Sequence, residues 1–272
     1  MIPDIIKTII LGIIEGVTEW LPISSTGHMI LAEEFLKLNV SKAFWEMFLV
    51  VIQLGAILAV VVLFFKKLFP WGFNKNKEEV NNTFSLWFKI LISCIPAGIL
   101  GIIFNDKIDE LFYNYYTVAL ALIVYGILFI IIENINKNKT PKVKTENKIT
   151  YKQALLIGIF QILALVPGTS RSGATILGGL ILGLERGVAA SYTFYLAIPI
   201  MFGASLLKLL KFGVVFTSME IIILIIGMLT AFIVSILTIK MLLKYIKRND
   251  FKVFGYYRIS LGIIVLLYFL LA

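Results

Sequence analysis

Residues 15–28, EGVTEWLPISSTGH, gather two carboxylates, a run of hydroxyls and the only histidine of the chain into one short stretch. The flanking sequence is apolar, beginning IIKTIILGII before the stretch and MILAEEFL after it. Charged groups in such surroundings cost several kcal/mol, so they mark a boundary with water or a functional site. Pro22 cannot continue a helix, and Ser24, Ser25, Thr26 and Gly27 favour a break with an N-cap for a helix that restarts near His28. The expected element is a helix, a polar break and a second helix.

Composition says where that break sits. Of 272 residues, 60% are hydrophobic and 15% charged, and the mean hydropathy is +0.96, which is the profile of an integral membrane protein and not of a soluble domain. FLVVIQLGAILAVVVLFF (48–65), TVALALIVYGILFIII (117–132) and IIILIIGMLTAFIVSILTI (221–239) are apolar throughout. They match the run of about 20 residues that crosses a hydrocarbon core of about 30 Å, and lack the alternation of a barrel strand. The N-terminal stretch has no small-residue cleavage site and is interrupted by Glu15, so it does not read as a removable signal peptide. A single cysteine, Cys94, excludes an internal disulfide and a cysteine-based metal site. The net charge of +9 fits positive-inside loops and not nucleic acid, because no soluble basic domain is present.

Those basic segments fix a topology. Lysines cluster at 66–77 and 137–152, and basic residues again at 240–252, which places all three segments in the cytoplasm. The acidic NDKIDE (105–110) fits outside, so 44–65, 84–104 and 112–132 become ordinary spans. Counting back from the basic tail, spans at 221–239 and 188–207 return the chain to the cytoplasm near Glu185, and a last span covers 254–272. Residues 154–183 then begin and end on one side, although two crossings need about 40 residues, so this segment should enter the membrane and turn back. The same count makes 5–37 a re-entrant hairpin from the outer face. Each half, 1–132 and 154–272 with a basic linker at 133–153, is one hairpin plus three spans. The expected fold is thus an all-α polytopic membrane protein built as an inverted-topology repeat. An ungapped shift of 146 supports it, laying Gly12 on Gly158, Glu15 on Gln161, Ser24 on Ser170 and Gly27 on Gly173.

The second hairpin repeats the broken design in VPGTSRSGATI (166–176), with Pro167, Gly168 and Gly173. Breaks at membrane depth present backbone N–H groups and positive helix ends, which suit an anion such as phosphate. Glu15 and Glu19 are four residues apart on one helix face and form, with nearby hydroxyls, a hard oxygen site for Mg²⁺ or Ca²⁺ shared with phosphate oxygens. Arg171, among Ser170, Ser172 and Thr175, reads as a planar fork for phosphate, or else as a counter-ion to the acids. Ser25 is the favoured nucleophile with His28 as its proton acceptor; His28 itself and a metal-bound water are the rivals. Lys89, Tyr113, Tyr115, Tyr116 and the tryptophans are assigned to membrane-interface anchoring, and Gly179 and Gly183 to close helix packing.

EGVTEWLPISSTGHMIL together with VPGTSRSGATI resembles the undecaprenyl-diphosphate phosphatase family, also called bacitracin-resistance proteins, and residues 44–65 resemble its following span. The resemblance covers nearly the whole chain. It implies hydrolysis of undecaprenyl diphosphate to undecaprenyl phosphate and inorganic phosphate, recycling the lipid carrier of cell-wall synthesis in a bacterial plasma (inner) membrane. It places the acid pair on Glu15 and Glu19, the hydroxyls on Ser24, Ser25 and Thr26, the histidine on His28 and the second motif on Gly168, Ser170, Arg171, Ser172 and Thr175. It also implies a homodimer and a site open to the outer face. The competing class is a lipid-phosphate flippase or anion transporter, which shares inverted repeats and broken helices but has no need of two acids, a serine and a histidine around one anion.

Overall fold

The computed structural model describes residues 3–71, 75–112, 114–213 and 215–271, of which 105, 106 and 109 by backbone alone. Tyr113, Ala272 and the side chains of Asn105, Asp106 and Asp109, on which some sequence expectations fall, lie outside the described residues. Twelve α-helices account for most of the described chain: α1 (Asp4–Thr18), α2 (Ser25–Phe35), α3 (Lys42–Val51), α4 (Gln53–Leu63), α5 (Phe65–Leu68), α6 (Lys77–Phe112), α7 (Tyr115–Asn136), α8 (Tyr151–Ile162), α9 (Arg171–Ile181), α10 (Arg186–Phe212), α11 (Ser218–Ile246) and α12 (Lys252–Leu271). Among the described residues there is no named strand, only an isolated bridge between Val143 and Leu184.

Six helical stretches are long and apolar enough to cross a bilayer: 42–63 (α3 and α4 together), 77–104 within α6, and α7, α10, α11 and α12. Their outer faces carry large exposed apolar side chains such as Leu58, Ile102, Leu229 and Leu237, a surface that only lipid stabilises. One boundary differs from the sequence reading: the segment 105–110 is not a loop, because α6 continues to Phe112.

α1 and α2 form one hairpin and α8 and α9 another, each folded about a polar break. At 15 and 12 residues, α1 and α8 rise only about 22 and 18 Å at roughly 1.5 Å per residue, short of the hydrocarbon thickness. Each hairpin is tied at its open end. Lys7 Nζ donates to Lys37 O in the first, and Gln153 Nε2 donates to Leu182 O at 3.2 Å in the second. Lys7 and Gln153 are equivalent under the 146-residue shift.

The halves interlock through small residues. A Cβ on Gly12 or Gly16 of α1 would lie 2.9 Å from Gly227 O or Ala231 O of α11, and one on Gly158 of α8 would lie 2.4 Å from Ser93 O of α6. The first helix of each half therefore packs on the long helix of the other, as close backbone approach between apolar helices requires. α7 lies against α12, with Gly126 meeting Gly255 and Ala119 meeting Gly262, so the two run antiparallel. Phe44 against Phe212 and Phe64 against Phe194 make α3–α4 antiparallel to α10. These two pairs of corresponding helices thus run in opposite directions.

Several residues sit elsewhere than expected. Lys89 is buried between α6 and the linker, with Nζ donating to Asn147 O at 3.0 Å, and is no interface anchor. Trp20 and Trp45 are also buried. Gly179 does allow close packing, against Ala189, but Gly183 (φ 85°) is the left-handed residue that ends α9, a conformation glycine adopts without steric cost.

Candidate functional site

At both tips the chain passes through a left-handed serine. Ser24 and Ser170, each with φ 73°, are the positive-φ non-glycine residues among those described, and such a conformation costs on the order of 1–3 kcal/mol unless its surroundings hold it. Ser24 Oγ accepts from Gly27 N at 3.3 Å, and Ser170 Oγ accepts from Gly173 N at 3.1 Å. The helices restart at Ser25 and Arg171, three residues before His28 in the first case. Gly168 (φ 89°) completes the second tip, where a Cβ would lie 2.5 Å from Val118 O of α7.

The two tips meet on Glu19. Its backbone N–H bonds to Glu15 O at 3.0 Å, continuing α1 by one residue. The carboxylate is 7% exposed. Oε2 accepts from Ser25 Oγ at 2.7 Å, and Oε1 accepts from Arg171 Nη2 at 3.1 Å. Arg171 also donates from Nη1 to Thr193 O at 2.8 Å, while its buried Nε has no partner. Its guanidinium lies 6.0 Å from the ring of Trp20, whose body packs edge-on against Phe194. Sequence spacing paired Ser25 with His28, and the structure corrects this: the group accepting the Ser25 hydroxyl is Glu19. The His28 ring instead bonds through Nδ1 to Ser24 O at 2.7 Å and through Nε2 to Tyr257 OH at 2.7 Å. A carbonyl can only accept, so Nδ1 carries a proton, and neutral His28 accepts the Tyr257 hydroxyl at Nε2.

The remaining hydroxyls divide. Ser172 Oγ reaches Glu19 O at 3.1 Å and Leu21 O at 3.2 Å, and Thr175 Oγ1 donates to Arg171 O at 2.8 Å. Both are 1% exposed. Ser172 ties the second hairpin to the first, whereas Thr175 bonds within α9 and, through Thr193 Oγ1 at 2.9 Å, to α10. Ser24 is buried as well, whereas Ser25, Thr26, His28 and Ser170 are half-buried and reachable.

Two residues of α12 escaped the sequence reading. Tyr257 holds His28, as above. Arg258 is 0% exposed and donates to carbonyls of both tips: Nη1 to Pro22 O at 3.1 Å, and Nη2 to Gly168 O and Thr169 O at 2.9 Å each. A lone arginine inside an apolar span was the available signal.

Whether the site suits a divalent cation can be judged from its donors. Among the described residues no group of three or more His, Cys, Asp or Glu side chains converges to enclose an ion. Glu15, 1% exposed, nevertheless has an Oε1 that is buried without a donor. Such an orphaned acceptor, one turn from Glu19, fits Mg²⁺, which takes one or two carboxylates and completes its shell with phosphate oxygens and water. The ionisable side chains buried at the two tips are Glu15 and Glu19 against Arg171 and Arg258. They cancel formally and leave a diphosphate under-neutralised without a further cation.

Fold and site together define a polytopic membrane protein whose two broken hairpins build a buried centre suited to phosphate chemistry. The chain belongs to the family described as bacitracin resistance protein BacA, whose family model matches residues 8–264. It is 64% identical over 267 residues to an undecaprenyl-diphosphatase of Acetivibrio thermocellus, covering 98% of each chain. It is 65% identical over 269 residues to undecaprenyl-diphosphatase 1 of Clostridium acetobutylicum, covering 98% of each. An undecaprenyl-diphosphatase of Enterococcus faecalis is 58% identical over 266 residues, covering 97% of this chain and 96% of its own.

Proposed function

We propose that this protein hydrolyses undecaprenyl diphosphate to undecaprenyl phosphate and inorganic phosphate at the meeting point of its two hairpin tips. The observation that carries this is the triad Ser25–Glu19–Arg171, in which a reachable hydroxyl donates to a buried carboxylate held by an arginine from the opposite half. The prenyl tail stays in lipid between helices while the diphosphate enters the polar centre. Names carried by relatives at 58–65% identity over nearly full length support the reading.

Ser25 Oγ attacks the terminal phosphorus and passes its proton to Glu19. The bridging P–O bond breaks and prenyl phosphate leaves. Water then attacks the phosphoserine and the Ser25 Oγ–P bond breaks; Glu19 returns its proton to Ser25 Oγ, and both protons of the water leave with the inorganic phosphate. Arg171 turns its unpartnered Nε and its fork toward the phosphoryl oxygens, and the first turns of α2 and α9 direct backbone N–H groups to the same region. Glu15 and Glu19 would hold a divalent cation, which supplies charge neutralisation of the diphosphate when bound. His28 and Tyr257 border the site as a second donor–acceptor pair.

Both hairpins are re-entrant in this reading. Their closed bases and short helices support it, as does the bridge between Val143 and Leu184, which sets the basic linker beside the turn after α9 on one side. The first hairpin then enters from the outer face of the bacterial plasma membrane, and a homodimer is the expected assembly. The test is phosphate release from a short, soluble prenyl diphosphate by detergent-purified protein. Absence of release, with lipid movement in proteoliposomes, would make the protein a carrier instead.

A further inference from the structure

We infer that Arg258 is the positioning residue that fixes the spacing of the two hairpin tips, and with it the alignment of Ser25 against Arg171. The inference rests on the hydrolase reading for its kinetic consequence, but on geometry alone for its structural one.

Arg258 projects from α12 and is wholly buried. No carboxylate among the described residues lies within ion-pair distance of it, the pairs being made elsewhere. A membrane-buried arginine without a counter-ion is costly unless its nitrogens are hydrogen-bonded. Here each of its three nitrogens donates to a backbone oxygen. Nη1 takes Pro22 O of the first tip, and Nη2 takes Gly168 O and Thr169 O of the second. Weaker contacts at 3.4 Å run from Nε to Leu122 O and from Nη2 to Ala121 O of α7, and the guanidinium lies 5.6 Å from the ring of Tyr125.

These tip carbonyls immediately precede the strained serines. Pro22 lies two residues before Ser24, and Gly168 and Thr169 lie directly before Ser170. Fixing them from behind fixes the peptide planes that turn the N–H groups of α2 and α9 toward the site. One rigid, planar guanidinium does this for both tips at once, so it also fixes the distance between them. The other cross-tip links, Arg171 to Glu19 and Ser172 to the Glu19 and Leu21 carbonyls, involve residues placed in or beside the reacting group. Arg258 is the link that holds carbonyls of both tips from a third element, α12.

A lysine at 258 keeps the charge but has no fork with which to span the tips, and a methionine removes both. The experiment pairs kinetics on a short prenyl diphosphate with hydrogen exchange of the purified protein. Arg258→Lys and Arg258→Met should lower kcat at least 100-fold while KM changes less than tenfold. Exchange should speed at least tenfold in the segments 19–30 and 163–178 and stay unchanged in α6 and α11. Unchanged exchange at the tips, or kcat near wild type, overturns the inference. Faster exchange spread evenly over all helices, or failure of both variants to fold, also overturns it, because Arg258 would then support the bundle as a whole. If the wild-type protein releases no phosphate, the proposed function fails while selective loosening of the tips still upholds the positioning role.

Discussion

Replacing Glu19 by glutamine tests the centre of the reasoning, because that side chain takes a hydroxyl from the first hairpin and a guanidinium from the second. Glutamine fills the same space and keeps an amide oxygen for Arg171, but it cannot take the Ser25 proton across the 2.7 Å contact. A positioned general base contributes 10²- to 10⁴-fold, which is about 2.7–5.4 kcal/mol of barrier at roughly 1.36 kcal/mol per decade. Removing the charge of one partner of this buried ion pair costs on the order of 3–5 kcal/mol of stability, so turnover is read per folded enzyme.

The decisive measurement is a double-mutant cycle of Glu19→Gln and Ser25→Ala, read as kcat for phosphate release. If Glu19 acts through Ser25, the double variant should be about as slow as the slower single variant, since residues working as one unit are not additive. Multiplying effects would mean that the two act separately, and a Glu19→Gln enzyme within tenfold of wild type would remove the base assignment.

Arg171→Lys should leave the protein folded and lower turnover at least 100-fold, because an ammonium has no fork for both Thr193 O and the phosphate; a near-normal rate would reduce Arg171 to a counter-charge. Chelation of divalent cations should abolish turnover, and Glu15→Gln should lower it at least 100-fold while leaving thermal stability nearly unchanged, so full activity in excess chelator would leave Glu15 without a cation to hold. Rapid acid quenching with labelled substrate should trap an acid-stable phosphoenzyme absent from Ser25→Ala, whereas acid-labile label lost in His28→Ala would hand the nucleophile to His28. Gly158→Ala should lower the melting temperature by an amount equivalent to about 1–3 kcal/mol, because its Cβ would sit 2.4 Å from Ser93 O; an unshifted transition would show that α8 is not wedged against α6.

Much of this was legible in the sequence wherever physics makes a residue costly. Glu15, Glu19 and Arg171 stand out because charges are rare inside apolar chains, and the tips stand out because Pro22, Pro167 and Gly168 interrupt helices. Charge parity leads to two hairpins because three strongly basic segments are assigned to one side. What was missed depends on the chain returning on itself. Ser25 and His28 are three residues apart and so invite pairing, yet the end of α1 folds back over the start of α2 and delivers Glu19 to Ser25 first. Arg258 sits in an otherwise apolar span with no break near it, and carbonyl ligands from residues 22, 168 and 169 leave no trace in local sequence. Ser172 looks like a ligand by type, but its hydroxyl meets backbone oxygens of residues 19 and 21 that only folding could bring near.

The 146-residue shift explains why the site needs both halves. It lays Ser25 on Arg171, the first helical residues of α2 and α9, each following a serine with φ 73°. Two copies of one backbone device thus bring a hydroxyl and a guanidinium to the same carboxylate, Glu19, from equivalent positions. Elsewhere the copies part company: Glu15 faces Gln161, Glu19 faces Leu165 and His28 faces Ala174. Gln161, like Glu15, is buried with an unpartnered Oε1, but as a neutral amide it adds no second negative field against the phosphate. A fully symmetric site with serine at both helix starts would lack the arginine that steadies Glu19. One with arginine at both would hold the anion and have nothing to attack it. The repeat supplies the geometry, and its asymmetry supplies the chemistry.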